Sequence, residues 1–337
     1  MRDSSSKIIK RLFEAAEEND LKAVKSFIEK NEALAAATND QGRTLIHIAA
    51  KNGNMDMIRF IDEKAPLLMI TPGKNYVNIA IQLAVKYGFL DVVKYLVETY
   101  RKDTVSKPED SDLETIIPLV IEFGRLDILK YFIEEKHVNM DQPGKWQNQP
   151  PIFQAVDYQQ NDIFKYLVEE KKANVTVRDL VGENILYVAV QRDDFATIKY
   201  LLDEKKIKFK INGTNERGET LVHRAAFLNR MDILEYLVGE KHANVNVRET
   251  WENMTALHFA AANNHYESCK YLVEHGADFE KKDAAGQTAA EKTSDLRLKQ
   301  ILTPTSTNRD RRNVHEPPTI FRAVRFTHPG LRSLSDD

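Results

Sequence analysis

The chain has 337 residues, of which 42% are hydrophobic and 29% charged, a balance that excludes wholesale disorder and allows a sizeable core. Forty-eight Lys and Arg against fifty-one Asp and Glu leave a formal charge of −3, so the molecule as a whole attracts neither nucleic acid nor an acidic membrane surface. The single cysteine, Cys269, excludes an intramolecular disulfide framework and a multi-cysteine zinc site, which points to a reducing intracellular compartment.

Residues 1–9 are expected to be flexible; they lack the apolar core of a secretory signal, and no stretch approaches the roughly 18 apolar residues of a membrane span. The expectation is a cytoplasmic protein, with the nucleus as a second possible compartment. From residue 10 onward a period organises the chain. Its clearest phrase is Asp91-Val92-Val93-Lys94-Tyr95-Leu96, which returns as Asp127 to Phe132, Asp162 to Leu167 and Asp232 to Leu237. The aromatic of each copy falls at Phe60, Tyr95, Tyr131, Tyr166, Tyr200, Tyr236 and Tyr271, with gaps of 35, 36, 35, 34, 36 and 35. Seven full repeats therefore occupy residues 39–282. More polar half-copies at 10–38 and 283–302 read as the solubilising caps that a repeat array needs at its ends.

Upstream of each phrase lies a second one, clearest in Thr44-Leu45-Ile46-His47-Ile48-Ala49-Ala50, Thr220 to Ala226 and Thr255 to Ala261. The spacing predicts two helices per repeat, joined by a short turn and each with one buried stripe. Thr44, Thr220, Thr255 and Asn184 stand where a side-chain N-cap opens the first helix. Two residues before the cap column come Gly42, Gly182, Gly218, Gly286, Asn148 or Asn253, types that tolerate a left-handed turn.

This pattern resembles the ankyrin repeat family, whose 33-residue unit carries Gly-x-Thr-Pro-Leu-His-x-Ala-Ala. The resemblance runs from Lys10 to Leu302 and implies an all-α solenoid of helix-turn-helix units, followed by a flexible tail at 303–337. Three departures stand out. Proline is missing from its usual place except at Pro151, and the glycine after the second helix survives at Gly276 alone. Other copies instead read Glu-Lys-His-Ala-Asn or Glu-Lys-Lys-Ala-Asn, or a variant of these, with one residue more, which lengthens the period. The connections Thr99–Asp112 and Asn139–Gln149 are also longer than the rest, and such insertions fall on one face of a repeat protein.

Catalytic signatures are missing: there is no phosphate loop, dinucleotide fingerprint, His-Glu-x-x-His or nucleophile elbow. Cys269 occupies a column otherwise held by aliphatic and aromatic residues and is expected in the core. His47, His223 and His258 share a column with Gln82, Pro118, Phe153 and Tyr187, a mixture no metal site would tolerate. The resemblance assigns these histidines a structural hydrogen-bonding role, so no enzyme activity, cofactor or metal is expected.

The family's groove is lined by the turns between repeats and by the two residues after the paired alanines. Reading the second of those along the array gives Asn52, Tyr87, Phe123, Tyr158, Arg192, Leu228 and Asn263, with three consecutive aromatics. Four residues before the cap, the turn column reads Asp40, Asn75, Ser111, Trp146, Leu180, Glu216, Trp251 and Ala284, which takes in both tryptophans of the chain. Tyr87, Phe123, Tyr158, Arg192, Leu228, Trp146 and Trp251 are accordingly the candidate partner-binding residues. The competing expectation is that each ring packs on the next helix.

The tail holds six arginines, no lysine and four acids, with Pro304, Pro317, Pro318 and Pro329. Within it Arg322, Val324 and Phe326 are similar to the (Lys/Arg)-x-Val-x-Phe motif by which regulatory subunits dock on type-1 protein phosphatase; a strand folding back on the array is the alternative. The leading expectation is a non-enzymatic scaffold for protein partners. A phosphatase-targeting subunit and an effector or toxin-like protein acting on host proteins are the other readings.

Overall fold

The structure, a computed structural model, describes residues 2–65, 76–100, 113–140 and 149–303. Trp146, Asn148 and the tail motif Arg322, Val324 and Phe326 lie outside the described residues. The contacts of the chain group into two compact units, residues 1–209 and 210–337.

The first unit contains α1 (Arg2–Glu17), α2 (Leu21–Lys30), α3 (Leu45–Asn52), α4 (Met55–Lys64), α5 (Tyr76–Tyr87), α6 (Leu90–Tyr100), α7 (Leu113–Glu122), α8 (Leu126–Lys130), α9 (Pro151–Asp157), α10 (Asn161–Glu169), α11 (Ile185–Arg192) and α12 (Phe195–Lys199). Its first helices stack in the order α3, α5, α7, α9, α11, while the second helices pack outside them, α2 on α4 and α6 on α8. The second unit repeats the plan with α13 (Leu221–Leu228), α14 (Met231–Glu235), α15 (Ala256–Ala262), α16 (Tyr266–Glu274), α17 (Ala289–Lys292) and α18 (Leu296–Leu302). There α13, α15 and α17 stack, with α14, α16 and α18 behind them. No helix among the described residues is long and apolar enough to cross a membrane.

The stacking follows from the stripes. Leu45, Ile46, Ala49 and Ala50 of α3, and Leu221, Val222, Ala225 and Ala226 of α13, are at most 2% exposed. Each buried Leu, Ile or Val contributes about 1.5–3 kcal/mol, and the alanine pairs let successive helices approach. The start of each first helix is fixed by its cap. Thr44, Thr220, Thr255 and Thr288 form capping boxes with the residue three ahead, and the Asn184 side chain accepts from Leu186 N–H. Gly42, Gly182, Gly218, Gly286 and Asn253 all take the left-handed conformation, with φ between 61° and 77°. Helices α5 and α7 depart from the rule by starting one turn ahead of the cap column, and α7 carries Pro118 inside it.

The extra residue of the long repeats has a definite place. Beyond α8, α12 and α14 the chain continues as a π-helical turn over Tyr131–Glu135, Tyr200–Glu204 and Tyr236–Glu240. Lys136, Lys205 and Lys241 N–H donate five residues back to Tyr131, Tyr200 and Tyr236 C=O, and Lys171 does the same to Tyr166 after α10. In the seventh repeat, without the insertion, His275 N–H donates to Tyr271 C=O four residues back and Gly276 follows. The left-handed position that Gly276 fills there is taken in the long repeats by His137, Lys172, Lys206 and His242, at φ between 52° and 57°.

That turn carries each lysine back over its own tyrosine: Lys136, Lys171, Lys205 and Lys241 Nζ lie 4.9–5.3 Å from the ring centres. Glutamates of the preceding repeat are reached as well, Glu98 by Lys136 at 3.3 Å, and Glu134 by Lys171 and Glu169 by Lys205 at 2.8 Å. The result is a ladder of Tyr, Lys and Glu along the second helices.

Candidate partner-binding surface

The histidine column is structural. Thr44, Thr220 and Thr255 N–H donate to Nδ1 of His47, His223 and His258 at 2.9, 3.0 and 3.2 Å. Nδ1 is then an acceptor, so the proton sits on Nε2, which donates to the carbonyl of the next repeat at Tyr76, Met254 and Gln287. Burial holds all three imidazoles below their ordinary pKa, so they stay neutral at pH 7. Cys269 is fully buried in α16, and desolvation pushes its thiol up to about 12, which leaves no thiolate for nucleophilic chemistry. Among the described residues no three His, Cys, Asp or Glu converge as metal ligands.

The turns ahead of the first helices are each built on one side chain. Asn39 Oδ1 accepts from Gln41 and Arg43 N–H, Asp179 from Val181 and Glu183, Asn215 from Arg217 and Glu219, and Asp283 from Ala285 and Gln287, all at 2.8–3.0 Å. In the seventh repeat Glu249 stands one residue earlier, and its longer carboxylate accepts from Trp251, Glu252 and Met254 N–H. The same column reads Lys74, Asp110 and Lys145 before α5, α7 and α9, positions that lie outside the described residues.

On the first unit the aromatic column is largely open. Tyr87 is 44% exposed and Tyr158 42% exposed, and among the described residues neither hydroxyl has a hydrogen-bond partner. Phe123 is half-buried, with Lys86 Nζ 5.6 Å from its ring centre. Ile79 and Leu83 extend the apolar strip along α5, and Leu119 does so along α7. Arg192 is committed inside the unit: its guanidinium makes a two-pronged pair with Asp157 at 2.7 and 2.9 Å, which raises its pKa further.

The residues tying this surface down come from the turns between paired helices. Arg125 donates to Val85 and Lys86 C=O and Gln160 to Glu122 C=O, so the carbonyl ends of α5 and α7 are capped by the following repeat. The backbone beneath Tyr87 and Phe123 is thereby held while the rings remain outside.

On the second unit the exposed ring of α13 is Phe227, at 45%, while its neighbour Leu228 is half-buried. Trp251 is 70% exposed at a turn tip, with the Arg217 guanidinium stacked 4.9 Å from its ring centre. The turns here are bonded to each other. Thr250 N–H and Oγ1 both donate to Arg217 C=O at 2.8 Å, and Ala284 N–H donates to Glu252 C=O at 2.7 Å.

The family profile described as ankyrin repeats, in three copies, matches residues 12–107, 81–179, 117–213 and 186–283. Among curated proteins the chain is similar to the palmitoyltransferase AKR1 of Lachancea kluyveri, 33% identical over 100 residues that make up 30% of this chain and 13% of that protein. It is 24% identical to alpha-latrocrustotoxin-Lt1a of Latrodectus tredecimguttatus over 79% of this chain and 21% of the toxin. It is also 30% identical to ankyrin repeat and SAM domain-containing protein 6 of Rattus norvegicus, over 40% of this chain and 16% of that protein. The chain thus spans less than a quarter of the length of each of these relatives.

Proposed function

The chain belongs to the ankyrin repeat family, and from that premise we propose that it is a non-enzymatic scaffold holding a protein partner on the first-helix face of its first unit, around Tyr87, Phe123 and Tyr158. The observation that carries this is the pair of tyrosines, each more than two-fifths exposed and, among the described residues, without a hydrogen-bond partner for its hydroxyl; the end of α5 beneath Tyr87 is capped by the next repeat, and Arg192 of the next repeat pairs with Asp157 beside Tyr158. Rigid aromatics of this kind contribute apolar area at little entropic cost and are enriched among the few residues that dominate protein interfaces. Trp146, in the connection before α9, is assigned to the same surface, whereas Arg192 acts by fixing the Asp157 end of α9. Leu228 and Trp251 lie on the second unit.

The test is a partner recovered with the native chain and then titrated against variants. Tyr87→Ala with Tyr158→Ala is expected to weaken binding by about a hundredfold, roughly tenfold per ring, without lowering the melting temperature. Unchanged affinity would remove this surface from consideration. A phosphatase role for Arg322, Val324 and Phe326 is decided separately with a peptide of residues 319–326. Binding to type-1 phosphatase that Val324→Ala with Phe326→Ala abolishes supports it, and no binding ends it.

A further inference from the structure

We propose that Tyr158 is a tyrosine-phosphorylation site, that the Arg192 guanidinium receives the phosphate, and that the modification switches off the first-helix face of the first unit. Release of the partner rests on the surface proposed above, whereas the modification and its capture by Arg192 stand without it. The position makes the residue reachable. Tyr158 stands at the C-cap of α9, and the chain turns directly after it through Gln159 at φ 56°. Tyr158, Gln159 and Asn161 are exposed, and among the described residues no hydrogen bond holds the phenol.

The cation is already in place. Tyr158 and Arg192 hold successive positions of the concave column, one repeat apart. Arg192 reaches back across that interval to Asp157, the chain neighbour of Tyr158, with two bonds at 2.7 and 2.9 Å, and the phenol lies within electrostatic reach of the same guanidinium. The Arg192 side chain is 45% exposed, so exchanging one anion for another costs little desolvation. A phosphotyrosine brings a charge of about −1.5 to −2 and three strong acceptor oxygens, and a guanidinium bonds such a group with two parallel N–H donors. It therefore outcompetes the single charge of Asp157.

Other tyrosines are placed differently. Tyr95, Tyr166 and Tyr200 donate to Asp62, Glu134 and Glu169, carboxylates that would repel a phosphate. Tyr87 has Phe123 at the column position where Tyr158 has Arg192. Tyr266 is half-buried and meets Arg297 through its ring face, 5.6 Å from the centre. A protein tyrosine kinase with MgATP supplies the step at Tyr158. The phenol oxygen attacks the γ-phosphorus, the bond to the β–γ bridging oxygen breaks, ADP leaves, and the phenolic proton passes to the kinase's carboxylate base. The phosphate then occupies the column between Phe123 and Arg192 and opposes any apolar anchor of the partner there.

The full native chain is incubated with a protein tyrosine kinase domain and MgATP, and the sites are mapped by mass spectrometry. Phosphate is expected on Tyr158 of the folded chain. Phosphorus NMR, with Tyr158→Phe to assign the signal, is expected to show a second ionisation about 0.5–1 pH unit below that of a peptide of residues 154–162 phosphorylated at the same tyrosine. Arg192→Gln is expected to restore the peptide value and Asp157→Asn to lower it further, opposite shifts that a general loss of packing does not give. Partner affinity is expected to fall at least tenfold on phosphorylation. Phosphate on Tyr158 of the denatured chain alone would overturn the proposal, as would an ionisation equal to the peptide's and unmoved by Arg192→Gln. An affinity that Tyr158→Ala weakens and the phosphate leaves unchanged would overturn the switch. If neither moves the affinity, the partner surface proposed above falls instead, and the phosphate measurements decide this inference by themselves.

Discussion

The two units place their most exposed aromatic rings differently on one repeat plan. In the first, Tyr87, Phe123 and Tyr158 stand at the ends of α5, α7 and α9, and Arg125 and Gln160 cap the ends of α5 and α7 from the following repeat. In the second, Thr250 and Ala284 bond one turn to the next, and the most exposed ring, Trp251, stands at a turn tip, with Phe227 exposed on α13. A repeat constrains the buried stripe and the caps, while the free positions decide whether contact surface is mounted on helices or on turns.

The sharpest way to break this comparison is to attack the bonded turns. A Cβ at Gly218, in the second unit, would meet Thr250 N at 2.7 Å with φ at +77°, whereas at Gly42, in the first unit, it meets nothing within 4 Å among the described residues. Both substitutions to Ala are strained by the left-handed backbone, but Gly218→Ala also forces the turns apart. Chemical denaturation is expected to show a loss of about 2–3 kcal/mol for Gly218→Ala against about 1 kcal/mol for Gly42→Ala. Equal losses would mean that the turn-to-turn bonds of the second unit do not hold it together.

Acid separates the units next. Each buried histidine is neutral when folded and has its pKa depressed from 6.5, so below that value the unfolded chain binds more protons than the folded one. Stability is therefore full above about pH 6.5 and falls as the pH drops, until the depressed folded value is reached. The second unit has two such residues, His223 and His258, and the first has His47. Hydrogen exchange between pH 7 and 5 is expected to lose protection sooner in α13 and α15 than in α3, and His223→Gln is expected to flatten the slope.

Two smaller effects test the second helices. Lys206→Gly, at φ 52°, is expected to stabilise the first unit by about 0.5–1 kcal/mol through relief of a left-handed non-glycine residue. Lys171→Met, which removes an exposed pair with Glu134, is expected to shift the melting temperature less than Gly42→Ala does.

What could be read from the sequence was local. Threonine caps, left-handed glycines and the helix pair recur at fixed offsets because each depends on neighbours within a few residues. The structural reading of His47, His223 and His258 held for the same reason, since Thr sits three residues before each. The insertion was visible, but its form was not: a π-turn arises from how the backbone absorbs one residue before a left-handed position. The environment of the binding column was not legible where tertiary contacts choose. Arg192 finds Asp157 across a repeat boundary, and α13 turns Phe227 outward with Leu228 half-buried. Glu249 replaces the Asn or Asp of other turns from one residue further back, a substitution recognisable once the others are aligned on their caps.

The central claim, that a partner lies on the first helices of the first unit, is tested most directly by placing a photo-crosslinking phenylalanine derivative at Tyr158 and, separately, at Tyr95 on the second helix α6. Irradiation of the complex is predicted to give a partner adduct from Tyr158 and none from Tyr95, whose hydroxyl is already bonded to Asp62 at 2.6 Å. An adduct from Tyr95 with none from Tyr158 would contradict the account and move the interface to the second helices.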